Sequence, residues 1–307
     1  MSIVNTTQPI TAQSCEEMIL ALVEKYPFCR TEHLTTTAFG RPVRTLVIGN
    51  GPRKVIYTAA HHANEWITAL VLLQFAEALA QAIDDGTELL GVPGVQIARQ
   101  ATIYMVPMVD PDGVDLVVGA LTDGPGYRQA VRISQSFPQI PFPEGWKANL
   151  MGVDLNLQYP AGWLQAREIK FTQGFDRPAP RDYVGRSPLD QPESRALAGY
   201  TEFIDPALVL ALHSQGGQIY WKYQDIEVPG ARALGEVFAR LSGYTLEDTP
   251  YASGFAGYKD WFILRFGKPG YTIEVGRGEN PLPLSQFPEI YKDNLGILVT
   301  AALGEDL

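Results

Sequence analysis

Residues 54–80 organise the chain, and they read KVIYTAAHHANEWITALVLLQFAEALA. The apolar run 54–60 predicts a buried strand, and the apolar spacing after Glu65 predicts a helix over 65–83. His61 and His62 fall in the connection, and Glu65 falls in the first turn of the predicted helix. Because ligands of open α/β sheets bind outside the carboxyl ends of the strands, this connection is a candidate site.

The histidines of the chain indicate a metal. Four exist, at positions 33, 61, 62 and 213, and His213 follows the apolar run 208–212, which is typical of a second buried strand. His62, Glu65 and His213 would supply two imidazoles and one carboxylate, a set that leaves an open zinc position for water. Zinc acidifies such a water and polarises a carbonyl. An HxxE pair alone is weak, but the distant strand-end histidine favours a ligand over a capping or core histidine.

The two remaining histidines have less defined roles. His61 competes with His62 for the ligand position, and we expect it to face back into the protein or to support the ligands from behind. His33 lies in a polar segment and needs no function.

Glu274 is the candidate general base. It lies in the β-rich apolar segment GYTIEVG, residues 270–276. A carboxylate in such a segment is costly to bury unless it is paired or used in chemistry. The alternative is a glutamate that faces solvent at the end of a strand.

The remaining apolar pattern predicts an α/β fold with helices on both faces of the sheet. Further strands are predicted at 43–48, 102–106, 207–212 and 271–275, and helices at 14–26, 191–204, 229–242 and 286–303. Ser14 is the expected N-cap of the first helix. Residues 111–189 are rich in glycine and proline and are interpreted as excursions that carry site residues. We expect one domain over 1–307.

Composition excludes several classes of protein. The formal net charge of −10 argues against nucleic-acid and anionic-membrane binding, both of which need a basic surface. No stretch approaches the roughly 20 apolar residues of a membrane span, and the N-terminus lacks the anatomy of a secretory signal. A cytoplasmic location is therefore expected. Cys15 and Cys29 are the two cysteines, too few for a disulfide framework, and are interpreted as core or helix-face residues.

Several motifs carry a family resemblance. The chain resembles the carboxypeptidase A family of zinc peptidases, in the order of the motifs His62–Trp66, Pro111–Gly113, Gly152–Asn156, Tyr183–Gly185, Pro192–Glu193, His213–Ser214 and Thr272–Glu274. Within this family, the chain most resembles the γ-D-glutamyl-L-diamino acid endopeptidase branch, which cleaves peptides from bacterial cell walls. The motifs that carry this closer resemblance are Trp146–Asn149, Tyr159–Trp163, His213–Gly216 and Gly257–Trp261.

The resemblance implies a carboxypeptidase A-like fold, with a mixed, largely parallel twisted sheet between helices, and one Zn²⁺ per chain on His62, Glu65 and His213. Glu274 would activate the water and then pass its proton to the leaving amine. Lys147 falls near the family arginine that stabilises the oxyanion. An exposed loop lysine is an equal alternative.

The resemblance also implies substrate contacts. Asn156 matches the asparagine of the family's Asn-Arg pair, which grips the terminal carboxylate of the substrate. Ser214 and Gln215 would line the cleft, and Tyr251 lies near the family's mobile tyrosine.

One departure from the family pattern bears on the substrate. Leu157 stands where the clamp arginine belongs, so the bidentate carboxylate clamp of an ordinary carboxypeptidase is absent at that position. Simple trimming of C-termini is therefore disfavoured. Lys259, near the family's pocket base, and Arg277, between two glycines that give the backbone freedom, are available cations. We hypothesise that one or both replace the clamp.

The sequence therefore predicts hydrolysis of the γ-D-glutamyl–diaminopimelate amide, or that of another diamino acid, in cell-wall peptides. Murein recycling, on imported or internally released peptides, fits the expected location. The alternatives are an ordinary carboxypeptidase, a deacylase of the aspartoacylase or succinylglutamate desuccinylase type, and an inactive peptide-binding protein. The diamino acid, the length of the stem peptide and the oligomeric state are left open.

Overall fold

The structure of the protein is a computed structural model that describes residues 2–304. Its strands are β1 (Arg30–Thr36), β2 (Pro42–Gly49), β3 (Arg53–Thr58), β4 (Glu88–Leu89), β5 (Val92–Pro93), β6 (Ala101–Val106), β7 (Leu208–Ser214), β8 (Gln218–Tyr220), β9 (Thr245–Glu247) and β10 (Gly270–Val275). Its α-helices are α1 (Ala12–Lys25), α2 (Ile67–Asp85), α3 (Gly94–Gln100), α4 (Pro111–Val117), α5 (Gly124–Ser134), α6 (Trp163–Thr172), α7 (Pro192–Ile204), α8 (Ala231–Ser242), α9 (Tyr258–Phe266) and α10 (Phe287–Leu303).

Eight strands form the main sheet, in the order β1-β2-β6-β3-β7-β10-β8-β9. The four central strands, β6, β3, β7 and β10, are mutually parallel, whereas β1, β2 and β8 join by antiparallel pairing. Every residue of β7 is buried, as expected for a parallel strand that is covered on both faces. The predicted mixed α/β fold is confirmed.

Helix α2 is a long, apolar and mostly buried helix. By length and composition alone it could cross a membrane, but 72% of its most apolar 18-residue stretch is buried inside the protein. The expectation that no stretch approaches such a length is therefore wrong. Contacts with α1, α3, α10 and β7 cover the helix on several sides, and this burial accounts for its continuous apolar sequence.

The long predicted strands and helices are present, with boundaries displaced by one to two residues in most cases. Thr11, not Ser14, caps α1: the Ser14 backbone N–H donates to Thr11 Oγ1, and Ser14 Oγ accepts from the Thr11 backbone N–H. Ser14 is thus the third helical residue of a capping box. Glu65 lies in a separate 3₁₀ turn, Ala63–Glu65, because α2 begins only at Ile67.

Other elements were not visible in the sequence pattern. The edge strand β1, RTEHLTT, has no fully buried residue, so it lacks the apolar alternation by which strands are predicted. The excursion 111–189 contains three helices of 11 residues or fewer, α4, α5 and α6. The prediction of one domain over 1–307 extends past the described residues at both ends and stays a prediction.

A pair of hydrogen bonds fixes the turn between β3 and α2. The Ala60 backbone N–H donates to Thr68 Oγ1 over 2.9 Å, and Thr68 Oγ1 donates to the Glu65 carbonyl over 2.7 Å. Ala60 has a φ of 46°, in the left-handed region, so the chain reverses sharply there. Thr68 therefore ties the end of the strand to the start of the helix and sets the positions of His62 and Glu65 between them.

Replacement of Thr68 by valine should lower the free energy of unfolding by about 1–3 kcal/mol, because it leaves a buried N–H and a buried carbonyl without partners. Thr300→Val is the matched control, since the Thr300 hydroxyl is buried without a hydrogen-bond partner and its loss should leave stability unchanged or slightly higher. Urea unfolding measures both variants. Equal stability of the two variants would contradict the role assigned to Thr68.

Candidate active site

Three side chains converge where β3 and β7 end. His62 precedes the 3₁₀ turn that holds Glu65, and His213 is the penultimate residue of β7, the parallel neighbour of β3. Glu65 bridges the histidines: Oε1 lies 2.9 Å from His62 Nδ1, and Oε2 lies 3.0 Å from His213 Nδ1. All three are buried.

The spacing of these donor atoms fits a tetrahedral zinc site. Zinc bonds to nitrogen and oxygen of about 2.0–2.1 Å place two ligand atoms about 3.3 Å apart in a tetrahedron. The two Nδ1 atoms of His62 and His213 are separated by 3.3 Å, and one atom from each of the three residues lies within 4.8 Å of the others. Two imidazoles and a carboxylate are the donor types of catalytic zinc centres, so the residues fit the metal that the sequence indicated.

Asp154 supports His62 from outside the centre. Its Oδ1 lies 3.1 Å from His62 Nε2, the ring nitrogen that faces away from Glu65. This contact has the form of the carboxylate–histidine–metal arrangement, which fixes the tautomer and orientation of a ligand. Burial alone would raise the pKa of Asp154, but the hydrogen bond of His62 and the charges of Lys147 and Lys170 outweigh it and hold the pKa below its ordinary value.

Lys147 and Ser214 complete the surroundings of Glu65. Lys147 Nζ lies 3.0 Å from Glu65 Oε1, and the Ser214 backbone N–H donates to Oε2 over 3.1 Å. Burial opposes ionisation of Glu65, but the Lys147 charge and the hydrogen bonds of His213 and His62 outweigh it and keep the pKa well below its ordinary value. Glu65 is therefore an ionised carboxylate, as a metal ligand must be.

Glu274 lies beside the centre on β10. It is in register with His213 on the neighbouring parallel strand, and it is partly exposed to the cleft. Burial and the charge of Glu65 raise its pKa to about 8. A carboxyl group with a pKa near neutrality suits both acceptance and return of a proton.

Two cavities meet at this point. The first, of about 180 Å³, contains His62, Glu65 and His213 together with Asn156, Leu157 and Lys259. The second, of about 600 Å³, contains Ser214, Gln215 and Asn280. Four residues line both cavities and so form their common rim, which comprises Lys147, Arg181, Tyr220 and Glu274.

The predicted substrate residues are placed unequally. Asn156 reaches the first cavity and accepts the Tyr258 backbone N–H on Oδ1. Lys259 also lines it, but its ammonium contacts Asp260, the Lys222 carbonyl and Thr249 Oγ1. Two of these contacts are hydrogen bonds, to the Lys222 carbonyl and to Thr249 Oγ1, and the Asp260 carboxylate pairs with the charge of the lysine.

The structure does not bring Tyr251 or Arg277 to the site. Among the residues 2–304 that the structure describes, neither lines either cavity. The Tyr251 side chain is 64% exposed and packs edge-on against Phe255. The Arg277 guanidinium lies against the backbone of Gly217.

His61 packs behind the centre and is fully buried. Its ring stacks on that of His213, with centroids 5.6 Å apart, and its Nε2 lies 3.4 Å from the Tyr159 hydroxyl. Burial keeps its pKa well below the ordinary value, so the ring is neutral. His61 thus supports His213 from behind, and His33 lies at the surface beside Thr36.

Sequence reasoning missed Asp154, Lys170, Arg181 and Asp182, all of which line the first cavity. Asp154 had a usable signal, since it lies two residues before Asn156 in a motif that carried the family resemblance. The other three come from α6 and the loop after it, in the excursion that has no periodic pattern. Their proximity to the centre depends on how that loop folds back, which local sequence does not encode.

Comparison with known proteins agrees with the geometry. The model of the family described as zinc carboxypeptidase matches residues 15–296. Over 289 residues the chain is 40% identical to the gamma-D-glutamyl-L-diamino acid endopeptidase 1 of Lysinibacillus sphaericus. The alignment covers 92% of this chain and 69% of the relative. The resemblance inferred from the motifs, including the branch, is confirmed.

Solved structures share the fold. Carboxypeptidase A from Helicoverpa armigera superposes with a TM-score of 0.73 at 18% identity and covers 98% of this chain and 75% of its own. The murein-tripeptide amidase MpaA from Escherichia coli O157 gives a TM-score of 0.52 at 20% identity, covering 88% of this chain and 91% of its own. At such identities the match shows the fold alone. Because the family model covers most of its length, the chain is a metallopeptidase that belongs to the zinc carboxypeptidase family.

Proposed function

We propose that the protein hydrolyses the amide bond between γ-D-glutamate and a diamino acid in bacterial cell-wall peptides, and that it does so with one zinc ion per chain. The observation that carries the proposal is the His62–Glu65–His213 centre beside Glu274, at the junction of two cavities. The similarity to an enzyme named for this reaction supports the choice of bond.

Zinc, when bound, supplies a Lewis acid that polarises the scissile carbonyl and lowers the pKa of water. Glu274 accepts a proton from the attacking water as the new carbon–oxygen bond forms. It then donates that proton to the amine nitrogen as the carbon–nitrogen bond breaks, so the products are a γ-carboxylate and a free diamino acid amine. Lys147 keeps Glu65 ionised through the contact described above, and its position on the common rim also brings a positive charge near the reacting carbonyl.

The lining of the first cavity favours a polar, charged substrate over an ordinary peptide C-terminus. Leu157 lies in that lining, 8% exposed, where the carboxylate clamp of a carboxypeptidase would need an arginine. Lys170, Arg181, Asp182, Lys259 and Asp260 place charges of both signs around the same space. A diamino acid carries amines and carboxylates together, which complements such a lining.

A panel of peptides tests the bond. The zinc-loaded protein should cleave L-Ala-γ-D-Glu-diaminopimelate between glutamate and diaminopimelate, and it should leave the α-linked isomer and simple C-terminal dipeptides intact over the same time. Mass spectrometry identifies the products. Release of a C-terminal residue from α-linked peptides would favour an ordinary carboxypeptidase, and cleavage of N-acyl amino acids alone would favour a deacylase.

Glu274→Gln should lower kcat by about 10²–10⁴-fold, because the amide cannot accept the proton of the attacking water. The bound zinc, measured by elemental analysis of dialysed protein, should stay the same. Glu236→Gln is the control, since Glu236 lies on α8 with 60% of its side chain exposed. Full turnover in the Glu274 variant would remove the general base from the mechanism.

Asp154→Asn should weaken zinc binding by about 10–100-fold, since the hydrogen bond that orients His62 loses its charge. Competition with a chromophoric chelator gives the Kd, and the same titration counts one metal per chain in the unaltered protein. Asp248→Asn serves as the control, because the Asp248 side chain is 62% exposed. An unchanged Kd in the Asp154 variant would show that the contact does not support the metal.

We also propose that the protein acts in the cytoplasm on imported or internally released wall peptides. Cys15 and Cys29 are both free and buried thiols, a state that a reducing compartment preserves. Cell fractionation followed by detection of the chain tests this location, and recovery with the wall or medium fraction would contradict it.

A further inference from the structure

The loop at Pro180–Asp182 is held directly against the active site. The Pro180 carbonyl accepts the backbone N–H groups of Lys147 and Ala148, at 2.8 and 2.9 Å. The Asp182 backbone N–H donates to Asp154 Oδ2 over 3.3 Å, on the carboxylate that also contacts His62. Arg181 lies between these two attachments, so its backbone is fixed relative to the metal ligands.

The side chain of Arg181 is held in place at Nε, but its terminal amino groups remain unpaired among the described residues. Its Nε donates to Asp182 Oδ2 over 2.7 Å, while Lys170 holds the other oxygen of Asp182 at 2.6 Å. Within residues 2–304, the two terminal amino groups of Arg181 have no hydrogen-bond or ion-pair partner. The side chain is 42% exposed. The guanidinium therefore presents free N–H donors to the cleft from a fixed stem.

The position of Arg181 is on the common rim of the two cavities, with Lys147, Tyr220 and Glu274. Because Glu274 lines both cavities, a substrate amide attacked beside it would have its acyl part in one cavity and its amine part in the other. A group on the rim is thus close to the atoms that flank the scissile bond, whereas Lys259 lies within the first cavity only.

We propose that Arg181 binds a substrate carboxylate next to the scissile amide, and that it thereby supplies the carboxylate recognition that Leu157 cannot. This inference rests on the proposed function for the identity of the substrate. The fork of parallel N–H donors in arginine matches the two oxygens of a carboxylate. The other candidate cations are less available. The Lys259 ammonium is already paired with Asp260 and makes two hydrogen bonds, and Arg277 lies outside both cavities.

Two carboxylates of the substrate flank the scissile amide and could bind Arg181. One is the free α-carboxylate of the γ-linked glutamate, on the acyl side, and the other is the α-carboxylate of the diamino acid, on the amine side. Amidation of each in turn distinguishes them, because a neutral carboxamide loses the charge-assisted bonds and keeps the size.

The test measures binding without turnover. Calorimetry with zinc-loaded Glu274→Gln protein compares L-Ala-γ-D-Glu-diaminopimelate with its two singly amidated forms, with Arg181 intact or changed to glutamine. Arg181→Gln should weaken binding of the unmodified peptide by about 10–100-fold. The same substitution should have no effect on the peptide in which the carboxylate bound by Arg181 has been amidated. That peptide therefore identifies which of the two carboxylates Arg181 binds.

Controls separate the role from structural damage. Arg177→Gln changes a neighbouring arginine, 57% exposed and paired with Asp176, and should leave binding unchanged. Arg181→Lys keeps the charge without the fork and should recover only part of the affinity. Zinc content and the urea midpoint should be the same in every variant. Equal effects of Arg181→Gln on all three peptides, or no effect on any, would overturn the proposal.

Turnover in protein with Glu274 intact distinguishes a role in oxyanion stabilisation. Such a role would lower kcat equally for the unmodified and the amidated peptides, and that result would overturn the proposal. If no γ-linked peptide binds, the proposed function has failed. An α-linked peptide that does bind is then compared with its C-terminal amide. An Arg181-dependent difference between them supports carboxylate binding, and its absence overturns it.

Discussion

The carboxylate of Glu65 is the group on which the site depends. It is a buried negative charge, and such a charge is tolerated only when it is paired and hydrogen-bonded. Here its two oxygens contact both candidate histidine ligands, the Lys147 ammonium and a backbone N–H of β7. These partners come from three separate stretches of chain, so the charge holds together segments that are far apart in sequence.

The sheet topology makes this convergence possible. Because β3, β7 and β10 are adjacent and parallel, their carboxyl ends lie at one edge of the sheet. The candidate ligands and Glu274 emerge from that edge or from the turns that follow it. The long connections between the strands then fold over the edge and supply Asp154, Lys147 and the walls of the two cavities. The regular part of the fold positions the candidate metal ligands, and the irregular part supplies the residues that surround them.

This division explains what the sequence could and could not predict. The central strands and long helices were predictable because burial on both faces or along one stripe leaves a periodic apolar signal. The candidate ligands could be predicted from the sequence, because each lies at a predicted strand end or just after it: His62, Glu65 and His213. Arg181 and Asp182 follow no such signal, and Arg277 and Tyr251 were placed by proximity in sequence to motifs, which does not determine the direction of a side chain on a turn. The edge strand β1 was missed because its residues are polar and partly exposed.

Asp154 links the support of His62 to the wall of the first cavity. One oxygen faces the imidazole of His62, and the other receives the peptide N–H of Asp182, whose side chain holds both Lys170 and Arg181. A change in the loop that carries Asp182 therefore alters the electrostatic support of His62 as well as the wall of the cavity. Selection on substrate choice and selection on metal retention would act on one shared contact. A new specificity is therefore more accessible through the second cavity, whose wall includes Ser214, Gln215 and Asn280 but not Asp154.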